Sequence, residues 1–560
     1  MEILETKNLT FTYPGMTVPA LKDISLRAET GGFYVLCGPS GGGKTTLLKL
    51  WKSDLAPKGE QTGEILFKGK RPDTLDLRER SCGIGFVMQN PDVQIVTDEV
   101  WHELAFGLEN LGVPSTEIRT RVGEMANFFG ITSWYREKTA VLSGGQKQLL
   151  NLAAVMVMDP EVILLDEPTA QLDPIAADHF ISTLFRINRE LGVTVVISEH
   201  RLQELFPLAD RVWYLDGGRL AADGTPREIC PQMAEYGALD ALPAAAQVFL
   251  RSKGRGECPM SVREGRKWME TTFSPASEKC AESAGAETAE GAAVAMELKD
   301  VWFRYERKTP DVLSGFSAAF NEGRLTAILG GNGCGKTTAM MVMAGVLHPY
   351  KGVVKWFGKR PDQYKSGDRH RSMVSYLPQA PGLVFLKDTV LDDWKLMLRD
   401  TDRKGRADEI IRALAEEIGV PETLWGRHPA DLSGGELQKC ALVKILLGEP
   451  RILLLDEPTK GLDSRSKAQL SELLTGLKSR GLTVVMVSHD VEFCAKAADT
   501  CMLAFDGKLT EGISPKRFFS TNRFYTTAAA RISRGWFEDC VTPEDLAEEL
   551  GRKERLHDGS

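Results

Sequence analysis

The sequence predicts an α/β fold built twice along one chain of 560 residues. Three observations predict it. Short runs apolar at every position, Val162-Ile163-Leu164-Leu165 and Ile452-Leu453-Leu454-Leu455, suit parallel strands covered by helices on both faces. Strand-like Phe33-Tyr34-Val35-Leu36-Cys37 and Leu325-Thr326-Ala327-Ile328-Leu329 each run through a glycine-rich turn into a helical pattern. Three short motifs also recur in the same order about 290 residues apart.

Those motifs carry the duplication. Gly38-Pro39-Ser40-Gly41-Gly42-Gly43-Lys44-Thr45-Thr46 returns as Gly330-Gly331-Asn332-Gly333-Cys334-Gly335-Lys336-Thr337-Thr338. Leu142-Ser143-Gly144-Gly145-Gln146 returns as Leu432-Ser433-Gly434-Gly435-Glu436, and Leu164-Leu165-Asp166-Glu167-Pro168-Thr169 as Leu454-Leu455-Asp456-Glu457-Pro458-Thr459. One such motif is easily met by chance; three in register, twice, mark a repeated unit. The expected division is a first domain over 1–245, a flexible linker over 246–293, a second domain over 294–515 and a C-terminal extension over 516–560. The linker expectation rests on an Ala, Glu, Gly and Ser texture with seven basic and seven acidic side chains between 251 and 293. The extension has helical potential and no evident counterpart at the end of the first half.

Composition removes several classes. A formal net charge of −8 argues against general nucleic-acid binding, which leaves a basic footprint. Ten cysteines without a C-x-x-C pair fit a reducing compartment and argue against zinc or iron–sulfur clusters. No signal peptide is visible at Met1-Glu2-Ile3-Leu4-Glu5, and no stretch of ~18 apolar residues could span a membrane. Membrane attachment is therefore expected only through partners.

In the strand–loop–helix context, Gly-x-x-x-x-Gly-Lys-Thr reads as a phosphate cradle. Gly38, Ser40, Gly41 and Gly43, and likewise Gly330, Asn332, Gly333 and Gly335, let backbone N–H groups turn toward phosphate oxygens at a helix N-terminus. Lys44 and Lys336 then reach the β- and γ-phosphates of ATP, and Thr45 and Thr337 offer hydroxyls to Mg²⁺, with Thr46 and Thr338 beside them. Asp166 and Asp456 emerge from apolar strands where a carboxylate can help hold Mg²⁺. Glu167 and Glu457 follow, placed to orient the attacking water and take its proton.

Leu-Ser-Gly-Gly-Gln ahead of the Asp-Glu-Pro strand resembles the signature of ATP-binding-cassette (ABC) proteins, over roughly residues 2–240 and 295–515. The resemblance implies two ABC-type nucleotide-binding domains, each with a mostly parallel sheet core, an antiparallel β subdomain and a helical subdomain. It implies that the halves pair within the chain, with Ser143, Gly144 and Gly145 gripping ATP held by Lys336, and Ser433, Gly434 and Gly435 gripping ATP held by Lys44. Gln89 and Gln379 match the glutamine loop that touches Mg²⁺ and senses a membrane partner. His200 and His489 match the switch histidine, Asp173 and Asp463 the aspartate loop, and Tyr13 and Tyr305 the aromatic that stacks on adenine. Departures are small: Gln171 where glycine is commoner, Glu436 for glutamine, and Cys334 inside the second loop.

Gln89-Asn90-Pro91-Asp92-Val93-Gln94, with Thr97 through Asn110, resembles the ATPases of energy-coupling-factor (ECF) importers. That likeness implies a motor at the cytoplasmic face of the membrane. Its partners would be an integral membrane coupling protein and small substrate-binding membrane subunits for a vitamin or a transition-metal ion. The alternative is a soluble ABC-F-like tandem ATPase acting on ribosomes or another large assembly. Its long basic linker has no match in the charge-balanced segment here.

Overall fold

The structure, a computed structural model, describes residues 1–273, 293–365, 372–399 and 401–557. The chain divides into two compact units, Met1–Gly265 and Arg266–Ser560.

In the first unit a six-stranded sheet runs in the order Ile84–Val87, Val162–Asp166, Thr194–Ser198, Phe33–Cys37, Arg211–Asp216 and Arg219–Gly224. All pairings are parallel except the last, which is antiparallel. The three inner strands Val162–Asp166, Thr194–Ser198 and Phe33–Cys37 are buried at every residue, as expected of apolar runs sandwiched between helices. A three-stranded antiparallel sheet, Leu21–Glu29, Glu2–Thr12 and Glu60–Phe67, stands beside it. Here residues alternate buried and exposed, the mark of a sheet with one covered face. Helices Val100–Asn110, Ser115–Phe128 and Gly144–Met156 follow the fifth strand of the chain and form a helical region.

The second unit repeats the plan. Its six-stranded order is Val374–Leu377, Ile452–Asp456, Thr483–Val487, Leu325–Leu329, Thr500–Phe505 and Lys508–Leu509. Its antiparallel sheet is Leu313–Asn321, Val294–Phe303 and Lys351–Trp356, and its helices are Val390–Leu398, Ala407–Ile418 and Gly434–Leu446. The fold class expected from the sequence is present in both halves.

The segment between the repeats differs from expectation in its first part. Ala244–Arg251 and Val262–Thr272 are helices, the first burying Ala244 through Phe249. Its low complexity begins only after Phe273, and residues 274–292 lie outside those described. The tail expected to stand alone also has a counterpart. The first repeat is followed by helices Pro226–Glu235, Ala244–Arg251 and Val262–Thr272, the last crossing the boundary at Gly265; the second is followed by Pro515–Thr521, Ala528–Ser533 and Pro543–His557. Both middle helices open on three alanines, Ala244–Ala246 and Ala528–Ala530, and the same anchoring contact holds each. The Ala244 N–H donates to Gln203 Oε1 at 2.8 Å, and the Ala528 N–H donates to Glu492 Oε1 at 2.8 Å. Gln203 and Glu492 each stand three residues beyond the histidine of their half, His200 or His489.

Candidate functional site

Strand order brings the site together. In the first unit the strand ending at Asp166 neighbours the one ending at Ser198, which neighbours the strand feeding the glycine loop. Loops at adjacent carboxyl ends of parallel strands therefore converge. The loop closes into a helix beginning at Lys44, with Gly43 at φ 97° as its cap. A Cβ there would sit 2.8 Å from the Ala20 carbonyl and 2.7 Å from Leu21 Cδ2, so only glycine fits. Gly335 caps the second loop the same way, at φ 92°.

Lys44 is 5% exposed and donates to the carbonyls of Gly38 (2.9 Å) and Pro39 (3.1 Å). Lys336 is 7% exposed and donates to Gly330 (3.0 Å) and Gly331 (2.8 Å), with Cys334 Sγ at 3.9 Å. Both ammonium groups are thus aimed along the rim of the cradle that holds them. The two acids next to each cradle are held differently.

In the first half the buried Asp166 accepts from Thr45 Oγ1 (3.1 Å) and Ser198 Oγ (2.9 Å). Glu167 lies with Oε1 2.9 Å from His200 Nε2 and 4.0 Å from Lys44 Nζ, while Gln89 Nε2 donates to its Oε2 at 2.8 Å. In the second half Asp456 accepts, through Oδ2, from the Tyr376 hydroxyl at 3.2 Å. Its Oδ1 is buried with no hydrogen-bond partner among the described residues. Glu457 Oε2 accepts the backbone N–H of His489 at 3.1 Å; His489 Nε2 sits 3.3 Å from Oε1 and 3.1 Å from Asn332 Oδ1. Loss of hydration raises the Asp166 and Asp456 carboxyls above the usual range and pushes Glu457 up to about 7.

Glu167 and Glu457 share one backbone oddity, left-handed φ values of 45° and 52°. Such a conformation costs a non-glycine residue on the order of 1–3 kcal/mol and persists where surroundings enforce it. Here the strand next door enforces it: the Glu167 N–H donates to Ser198 O (3.0 Å), and the Glu457 N–H to Val487 O (2.9 Å).

The remaining residues singled out in the sequence hold local positions in each half. Ser143 and Ser433 cap the helices Gly144–Met156 and Gly434–Leu446 in reciprocal boxes with Gln146 and Glu436. Glutamate serves the box as well as glutamine, and Ser433 Oγ additionally donates to Glu436 Oε2 at 2.8 Å. Gly144, Gly145, Gly434 and Gly435 form the first turns of those helices. Asp173 and Asp463 cap the helices after each Asp-Glu strand through the N–H groups of Ala176 and Ser466. Tyr13 and Tyr305 each place their hydroxyl beside the loop threonine, 3.0 Å from Thr46 Oγ1 and 3.1 Å from Thr338 Oγ1. Gln379 is exposed on its loop. Sequence reasoning missed Ser198, Glu199 and Tyr376. The signal was present in the unequal repeat, Ser198-Glu199-His200 against Val487-Ser488-His489, but only strand pairing shows that Ser198 faces Asp166.

Comparison with known proteins agrees with this geometry. The family model described as ABC transporter matches residues 21–170 and 313–460. A protein of Bacillus anthracis, provisionally named an ABC transporter ATP-binding protein, is 41% identical over 97% of this chain and 98% of its own. One of Bacillus subtilis, provisionally named an HMP/thiamine import ATP-binding protein, is 30% identical over 93% of both chains. The structure of an archaeal ribosome recycling factor, bound to a ribosomal stalk protein, superposes with a TM-score of 0.58 at 19% identity, covering 92% of this chain and 91% of that one; it shares the fold. With two matched domains, both cradles intact and relatives alike from end to end, the chain belongs to the ABC transporter ATP-binding proteins and is a tandem ABC ATPase.

Proposed function

We propose that this ATPase is the motor subunit of an ECF-type importer, working at the cytoplasmic face of the membrane through separate membrane subunits that carry a vitamin or a transition-metal ion. The observation that carries the transport reading is the end-to-end likeness to the Bacillus subtilis protein named for HMP/thiamine import. Local surface supports it. After Gln89 the chain leaves Val93, Val96, Trp101 and Phe106 exposed, and after Gln379 it leaves Leu383 and Leu386 exposed. Apolar side chains held outward beside a nucleotide-sensing loop suit contact with a membrane partner. No helix among the described residues is long and apolar enough to cross a membrane.

Mg²⁺ fits the residues present. The buried Asp456 Oδ1, without a hydrogen-bond partner among the described residues, and the Thr45–Asp166 pair leave carboxylate and hydroxyl oxygens beside the cradles. Mg²⁺ is ordinarily held by one or two such groups plus phosphates and water. When bound, the ion neutralises charge on the β- and γ-phosphates. Lys44 and Lys336 bind those phosphates, and Glu167 and Glu457 accept the proton of the attacking water. His200 and His489 orient these carboxylates from within about 3 Å.

The test is purification of the tagged chain from mildly solubilised membranes of its own cell, followed by mass spectrometry. A polytopic membrane protein in about equal amount, with smaller membrane subunits, is the expected result. Ribosomal proteins in their place, with the ATPase absent from the membrane fraction, would overturn the transport reading and favour the soluble alternative.

A further inference from the structure

The two switch segments differ by one residue that reorganises the hydrogen bonds behind the proposed base. Glu199 of the first half is 2% exposed, and its carboxylate accepts three hydrogen bonds. Oε1 takes the Thr169 N–H (2.8 Å) and the Thr169 hydroxyl (2.6 Å); Oε2 takes the His200 N–H (3.1 Å). Thr169 closes the Asp-Glu-Pro-Thr turn, so one side chain joins that turn to the switch histidine. The corresponding residue of the second half is Ser488. Its hydroxyl meets Thr459 Oγ1 at 3.2 Å and accepts the Asp490 N–H at 3.1 Å, and the His489 N–H goes instead to Glu457 Oε2.

We propose that Glu199 is a positioning residue of the first site: by taking the His200 N–H it keeps that donor off Glu167, whose Oε2 then engages Gln89. Serine, two atoms shorter, cannot reach, so in the second half the glutamate itself bonds the switch backbone. A carboxylate that spends one oxygen on a fixed backbone N–H is worse placed to move with the glutamine loop. The two sites are therefore built with unequal coupling between base and glutamine loop, the first tighter than the second.

The inference rests on Glu167 acting as the base, and the experiment separates the two. Turnover of the first site is measured in the full chain carrying Glu457→Gln, against a control carrying E167Q and E457Q together. Residual activity in the control near that of the single variant would sink the base itself, whatever Glu199 does. With the control silent, E199S and E199Q are compared. Glutamine keeps an oxygen for Thr169 but turns an NH₂ toward the His200 N–H, so both variants are expected to lose about tenfold or more in kcat, with KM for ATP within about twofold. A purely structural role predicts the opposite split, with E199Q near normal, and that result overturns the proposal. The sharper readout is non-additivity: Gln89→Ala should lower kcat in the Glu199 background and add little in E199S. Equal effects of Gln89→Ala in both backgrounds also overturn it. Should E199S fold poorly by thermal melt, E199Q and the Gln89 cycle built on it carry the same comparison.

Discussion

Lys444→Met should loosen the segment after Gln379. Lys444 and Asp393 form an ion pair at 2.5 Å with side chains 7% and 0% exposed. Asp393 Oδ2 also accepts the N–H groups of Leu386 (2.6 Å) and Lys387 (3.2 Å), while Lys444 donates to the Val384 carbonyl. The pair thus nails down residues 384–387, the stretch that presents Leu383 and Leu386 to solvent. Removing the cation leaves a buried carboxylate with two backbone donors and no counter-charge, a loss of about 3–5 kcal/mol. Replacing both partners with apolar residues removes the stranded charge too, so K444M with D393L should recover most of that stability, though not the two N–H anchors. Hydrogen exchange of peptides covering 384–398 reads the local opening free energy directly. A change below about 1 kcal/mol for K444M, or a double variant no better than the single, would refute this account. The first half supplies a control from nature. Glu103 accepts the N–H groups of Val96 (3.1 Å) and Thr97 (2.8 Å), and Ala154 stands where Lys444 would be.

Three more outcomes can be checked. Glu167→Gln and Glu457→Gln should each slow their own site by ~10²-fold or more while ATP still binds, as read by single-site turnover beside nucleotide-binding titration; near-normal hydrolysis with both replaced would falsify the base assignment. Maleimide should inactivate the second site through the partly exposed Cys334, 3.9 Å from Lys336 Nζ, with ATP protecting and Cys334→Ala resistant. Glu492→Ala should cost the helix Ala528–Ser533 about 1 kcal/mol of local stability by stranding the Ala528 N–H, whereas Glu492→Gln, the first half's choice in Gln203, should leave exchange at 528–533 unchanged.

The strands, cradles and acids were legible in the sequence because each obeys a local rule. A five-residue run with no polar face must be buried on both sides, and a glycine at φ near 90° with a backbone carbonyl against it can be nothing else. Ser143 could be placed at a helix start for the same reason, as a serine three residues ahead of a partner able to bond back. The terminal helices were missed although Ala244–Ala246 and Ala528–Ala530 repeat, since three alanines name no chemistry and the shared docking hydrogen bond leaves no periodicity to read. Tyr376 escaped for a different reason. An aromatic on a strand beside an apolar strand looks like packing, and only register shows its hydroxyl arriving at Asp456.

Duplication normally invites the assumption that what holds for one site holds for its copy. Here the assumption survives for the residues that touch phosphate and fails one layer behind them. Ser198 donates to Asp166 and accepts the Glu167 N–H at 3.1 Å, so a single hydroxyl ties the two acids of the first half together. Val487 takes its place in the second half, Asp456 turns to Tyr376 on the other side, and its Oδ1 has no hydrogen-bond partner among the described residues. A buried carboxylate oxygen without a donor is costly, by about 1–3 kcal/mol or more for a charged group, unless a cation arrives to claim it. We therefore expect the second site to gain more from Mg²⁺ than the first, where Thr45 and Ser198 already donate to Asp166 Oδ1. Val487→Ser should narrow that difference and Ser198→Val should widen it. Mg²⁺ titration of ATP-dependent stability, with each site isolated by the glutamine variant of the other, would show equal midpoints if the hydroxyl were irrelevant. A weaker Mg²⁺ dependence after V487S is the expected sign.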